Sequence, residues 1–196
     1  PGRDHLPFVG DQDAILDEVE GFLNGARHAS GPGRVLATVL FTRIADSQGR
    51  AAWPGVGLRQ GLVQRLSAYA RKEVEWFRGR EIDTVGDRPL AIFDGPARAV
   101  RCACAVVEYA SRLGVEMRAG LHTGECDVVD GKVCGVAAEV GVRVANRAAA
   151  GEVLVSNAVK DLVAGSGIDF EDRGAHRLGS VHGEWRLFGV RRPGGG

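Results

Sequence analysis

Cysteine is sparse: four in 196 residues (Cys102, Cys104, Cys126 and Cys134), with no CxxC pair and no matching histidine cluster. That spacing argues against zinc and fits reduced thiols in a cytoplasmic protein. Net charge is lacking too. The 25 basic and 25 acidic residues cancel, and no basic block stands out, which removes the electrostatic footprint of a nucleic-acid binder. Long hydrophobic runs are also missing. Stretches such as 35–41 stop far short of the roughly 20 residues that a membrane span needs. No charged segment followed by an apolar one opens the sequence, so no signal peptide is expected. What is present is a 44 % hydrophobic fraction, ample for a core and incompatible with global disorder. The length suits one domain and a short appendage. The 29 glycines fall between periodic segments and read as turn punctuation.

Residues 1–25 read as an N-terminal helix segment. Ile15, Val19, Phe22 and Leu23 recur at helical spacing, with Asp11 or Asp13 to cap the helix and Gly25 to end it. Residues 26–33 (ARHASGPG) form a linker, and 34–190 form the main domain, followed by a tail at 191–196. Within that domain, 34–42 (RVLATVLFT) suits a strand buried on both faces. Leu58, Leu62, Leu66, Tyr69, Val74 and Phe77 predict a long amphipathic helix. Strands at 81–85 and 90–93 flank Gly-Asp-Arg-Pro at 86–89, a hairpin signal.

Residues 97–113 read as a helix. Strands at 115–122 and 126–129 are predicted to form a second pair, joined by Thr123–Gly124–Glu125. A small-residue helix at 136–149, a strand at 153–156, a short helix at 158–164 and closing strands at 168–173 and 185–190 complete the reading. The order β-α-β-β-α-β-β-α-β, with further pieces after it, predicts an α+β sandwich with helices over one face of a mostly antiparallel sheet.

Five blocks carry a resemblance. They are VLFTRIADS (39–47), TVGDRPLAIFDGPARAVRCA (84–103), MRAGLHTGE (117–125), GVRVANRAAAGEVLVS (141–156) and KDLVAGSGIDFEDRG (160–174). In this order they resemble the class III nucleotidyl cyclase homology domain, the group of adenylyl and guanylyl cyclases, over about residues 34–190. The resemblance implies a ferredoxin-like βαββαβ sheet in the class III cyclase fold, and a head-to-tail homodimer with active sites between the subunits. It further implies two metal-binding carboxylates, with Mg or Mn activating the 3′-hydroxyl of ATP or GTP as pyrophosphate leaves.

Carried over position by position, most of the implied roles meet the wrong side chain. The first metal carboxylate falls on Arg43. The second is kept as Asp87, but the glycine after it is Arg88. The base-reading lysine and aspartate positions hold Asp83 and Lys132, a charge swap. The ribose-orienting asparagine or histidine position holds Glu139, and the phosphate-stabilising arginine is kept as Arg143. The late lysine is Gly179, and Asp46 stands in the phosphate loop where glycine is usual. A guanidinium is always charged and cannot serve a hard dication that wants several oxygens. Losing one preorganised charge-stabilising donor costs about 2.7–4 kcal/mol of barrier.

The expected function is therefore a degenerate cyclase domain with a structural or regulatory role in cyclic nucleotide signalling, and with no resident metal. An active adenylate cyclase using Mg or Mn and a nucleotide-binding module without turnover stay open as alternatives. Arg43 and Asp87 are expected to pair, as are Asp83 and Lys132. Glu139 and Arg143 lie four apart, the spacing of a helix-surface ion pair. Finally, the opening PGRDHLPFVGD resembles the tail of an α/β-hydrolase, with His5 in the place of its base. No G-x-S-x-G elbow accompanies it, so a remnant or fragment of a fusion is expected.

Overall fold

The computed structural model describes residues 33–45, 56–82, 90–129, 132–179 and 181–191. Chain contacts divide the molecule into two compact units, Pro1–Gly33 and Arg34–Gly196. The N-terminal helix, the linker, His5 and the last five residues lie outside the described residues.

The first strand, β1 (Gly33–Ile44), is followed by α1 (Val56–Trp76), β2 (Arg80–Ile82), β3 (Leu90–Phe93), α2 (Pro96–Arg112) and β4 (Met117–Val129). These six elements give the β-α-β-β-α-β unit. Its strands lie in the order β2-β3-β1-β4, the ferredoxin-like arrangement. β3 runs antiparallel to both β1 and β2, so the predicted hairpin partners do pair. The chain continues through β5 (Lys132–Cys134), α3 (Val136–Arg147), β6 (Val153–Ser156), α4 (Asn157–Leu162), β7 (Phe170–Arg177) and β8 (Glu184–Val190). β6 joins β4 in parallel, and β8 and β7 extend the sheet antiparallel beyond it.

Alternation along β1 explains how the sheet takes helices on both sides. Leu40 packs with Leu66 and Val74 of α1, Val100, Ala103 and Val107 of α2, and Val159 of α4. Val39 and Phe41 point the other way, to Ala137, Ala138 and Ala145 of α3. Successive strand side chains must face opposite sides, so a strand apolar at every position needs cover on both. The expectation of helices over one face holds for α1, α2 and α4. It is corrected for α3, which lies on the opposite face.

A second correction concerns β4. Thr123–Gly124–Glu125 is no turn; it lies inside one continuous 13-residue strand whose hairpin partner is β5. Thr123 is buried, and its hydroxyl meets that of Thr38 on β1 at 2.8 Å. Gly124 has no positive φ. Its missing side chain instead accommodates α3, since a Cβ there would sit 3.0 Å from that of Ala137.

Candidate functional site

The inner side of α3 is built from Ala137, Ala138, Gly141 and Ala145, so the helix sinks close to the sheet. A Cβ on Gly141 would lie 2.7 Å from Val39 Cγ2. One on Gly120 of β4 would overlap the backbone of Ala145. This close seat fixes the opposite side of α3, where Glu139, Arg143, Asn146 and Arg147 fall at i, i+4, i+7 and i+8. The fourfold spacing puts Glu139 and Arg143 on adjacent turns.

The expected Glu139–Arg143 pair is formed. Arg143 Nη2 donates to Glu139 Oε1 at 2.6 Å and Nε donates to the same oxygen at 3.1 Å. The guanidinium passes over Gly179, which lies just beyond β7 and adopts φ 63°, a left-handed conformation that favours glycine. Arg147 Nη2 donates to the Arg177 carbonyl at 3.0 Å, tying the same helix to the end of β7.

Arg43 sits near the end of β1, beside the last turn of α3. Its Nη1 donates to Asn146 Oδ1 at 3.2 Å. Phe41, Thr42, Arg43, Val142, Ala145 and Asn146 line a shallow pocket there. The contact with Asn146 is one that the sequence reading did not anticipate. Its signal was available, because Asn146 stands seven residues after Glu139 and so shares its side of the helix.

Of the residues singled out from sequence, the fold thus brings Glu139, Arg143 and Gly179 together, and seats Arg43 beside the same helix. Asp46, Asp83 and Asp87 lie outside the described residues, as does the side chain of Lys132, whose backbone opens β5 opposite Val129. The expected Arg43–Asp87 and Asp83–Lys132 pairs therefore fall outside them as well. At the end of β1 the described donors are a guanidinium and an amide, and no three His, Cys, Asp or Glu side chains gather among the described residues. A hard dication asks for several oxygen donors, which these described side chains alone do not supply; Asp46 and Asp87 lie outside them.

A buried polar pair lies elsewhere in the sheet. His122 of β4 is 6 % exposed, and its Nδ1 meets the hydroxyl of fully buried Ser156, at the end of β6, at 2.8 Å. Trp185 packs edge-on against the ring, 5.3 Å between centroids. Burial pushes the imidazole down to about 4, so it stays neutral at physiological pH. Burial likewise pushes the Cys102 thiol up to about 12 and raises that of Cys126, which leaves both inert.

With this geometry in hand, solved structures of similar fold can be compared. The adenylyl cyclase CyaB from P. aeruginosa superposes with a TM-score of 0.76 at 19% identity, over 84% of this chain and 97% of that one. An adenylate/guanylate cyclase/hydrolase from Silicibacter pomeroyi gives 0.71 at 22% identity, over 83% of this chain and 100% of that one. The catalytic core of a rhodopsin-guanylyl cyclase with converted specificity, in complex with ATPalphaS, gives 0.70 at 16% identity over 82% and 98%. No protein-family model matches the chain, and no curated protein matches its sequence. The fold is that of class III adenylyl and guanylyl cyclase domains.

Proposed function

We propose that this chain, with the fold of adenylyl and guanylyl cyclase domains, is a cyclase homology domain that no longer closes a phosphodiester ring. Its role is structural or regulatory, in cyclic nucleotide signalling, and it works as a head-to-tail homodimer. One observation carries the reading: Arg43, at the end of β1 where the resemblance implies a metal-binding acid, is a cation engaged with Asn146. Two-metal phosphoryl transfer needs carboxylates that bridge two ions and leave them open to substrate oxygens. A fixed positive charge can attract a phosphate, but it cannot lower the pKa of a 3′-hydroxyl as a bound dication does. The other cation implied for the transition state, Arg143, is engaged by Glu139 of its own helix.

The test is formation of cyclic AMP and cyclic GMP from ATP and GTP with Mg²⁺ or Mn²⁺. The expected result is no turnover above background. Metal-dependent turnover that disappears in Asp87→Ala would remove the reading and establish an active cyclase. A second reading, nucleotide binding without turnover, draws support from the fold shared with a cyclase catalytic core solved in complex with ATPalphaS. Calorimetry with ATP, GTP and the cyclic products decides it, and no heat at millimolar ligand would exclude it.

A further inference from the structure

Gly179 stands at the one place where its own side chain would contend with that of Arg143. A Cβ built on it would run into Arg143 Nη1 and come within 2.9 Å of Cζ. The obstacle is the far end of a flexible side chain, so a larger residue there would evict the guanidinium, in addition to the strain that its left-handed φ of 63° imposes on any side chain. On the other side, Glu139 draws the same guanidinium back along α3 through Nε and Nη2. We propose that Glu139 and Gly179 together stow Arg143 against its own chain, the first by charge and the second by lacking a side chain. Position 179 thereby decides whether this cation can reach an anionic ligand.

The ion pair is exposed enough to open. The Arg143 and Glu139 side chains retain 33% and 44% of their accessible surface. An i,i+4 pair at that exposure shifts a two-state population only about two- to fivefold. The stow is therefore a bias and not a weld, to which Glu139 contributes its charge and position 179 its missing side chain. The ligand class follows from the donor: a planar guanidinium recognises carboxylate or phosphate oxygens. The probe chosen is inorganic pyrophosphate. The inference rests on the reading of this side of α3 as a former phosphate-handling surface, but its test reads side-chain position and not turnover.

The experiment follows the Arg143 Nε–H by ¹⁵N–¹H correlation at mildly acidic pH in the full chain. In wild type the signal should exchange with water about two- to fivefold more slowly than a free arginine Nε–H, and that protection should be lost in Glu139→Gln and also in Gly179→Ala. Gly174→Ala is the control for backbone strain, because Gly174 has φ 81° with nothing within 4 Å of a Cβ. That variant should leave the signal unchanged. Protection that survives Gly179→Ala overturns the proposal, as does its absence from wild type. Should Gly179→Ala not fold, Glu139→Gln carries the decision. It should bind pyrophosphate roughly two- to fivefold more tightly than wild type, with the gain removed by Arg143→Ala. Equal affinities overturn the proposal. Cyclase activity in wild type would remove the degenerate reading and leave these readouts standing.

Discussion

His122 shows how much a single buried residue can contribute beyond the candidate site. With its folded pKa near 4 against an ordinary 6.5, the unfolded chain binds a proton that the folded chain refuses between those values. Stability therefore falls as pH drops from about 6.5 to about 4 and levels off below, by up to about 3 kcal/mol over the window. Asp172, held below its usual range by the Arg186 guanidinium and the Gly174 amide, acts the same way but only below 3.8, so the two windows separate. Urea unfolding midpoints across pH 4–7 check this, and His122→Asn should flatten the profile while Ser156 keeps a hydrogen-bonding partner. A His122→Asn chain with the wild-type slope would assign the effect to another group. The LHTGE block was plain in the sequence, but the burial that gives His122 this property was not. Burial depends on Trp185 and Ser156, which arrive from β8 and β6.

α3 is the element whose character was most legible in advance. Ala137, Ala138, Gly141 and Ala145 let the helix approach the sheet closely, while Val140 and Val144 pack beside them against Leu154, Leu178 and Leu187. Which face it covers was not legible, because an apolar strand such as β1 reads identically from either side. The Thr-Gly-Glu stretch of β4 misled for a related reason: glycine signals both turns and crowding, and only α3 above it reveals which applies. Two glycines make the distinction measurable. At Gly120 a methyl group would press on the backbone of Ala145, which cannot swing aside, and Gly120→Ala should cost about 3 kcal/mol. At Gly61, inside α1, a Cβ would meet nothing within 4 Å, and Gly61→Ala should add about 0.5–1 kcal/mol. Thermal melts of the two variants should therefore shift in opposite directions. A tolerated Gly120→Ala would mean that α3 can lift off the sheet more easily than its small residues suggest.

For the whole molecule, the order of the elements and the five blocks made the sheet readable, because β-α-β-β-α-β has few ways to close. The candidate site was readable only in its chemistry. That Glu139, Arg143 and Gly179 meet is a consequence of α3 lying over the end of β7, a contact made between segments some 40 residues apart in the chain. On the proposed reading, this coupling governs how the residues of a cyclase site could be introduced. Gly179→Lys alone must push Arg143 from its place while Glu139 still pulls it, and Arg43 still occupies the end of β1. It should yield no cyclic nucleotide. Glu139→Asn removes the acid that engages the guanidinium, and Arg43→Asp exchanges a cation for an oxygen donor. With Asp83→Lys and Lys132→Asp added, the metal-binding, base-reading, ribose and phosphate-stabilising positions again have side chains of the right charge, while Asp46 and Arg88 stay as they are. The five changes together should give divalent-metal-dependent product from ATP, measured by chromatography, where each single change gives none. Such non-additivity is what residues acting as a unit produce. A folded five-fold variant with neither product nor any metal effect would mean that the backbone itself has moved away from a cyclase geometry.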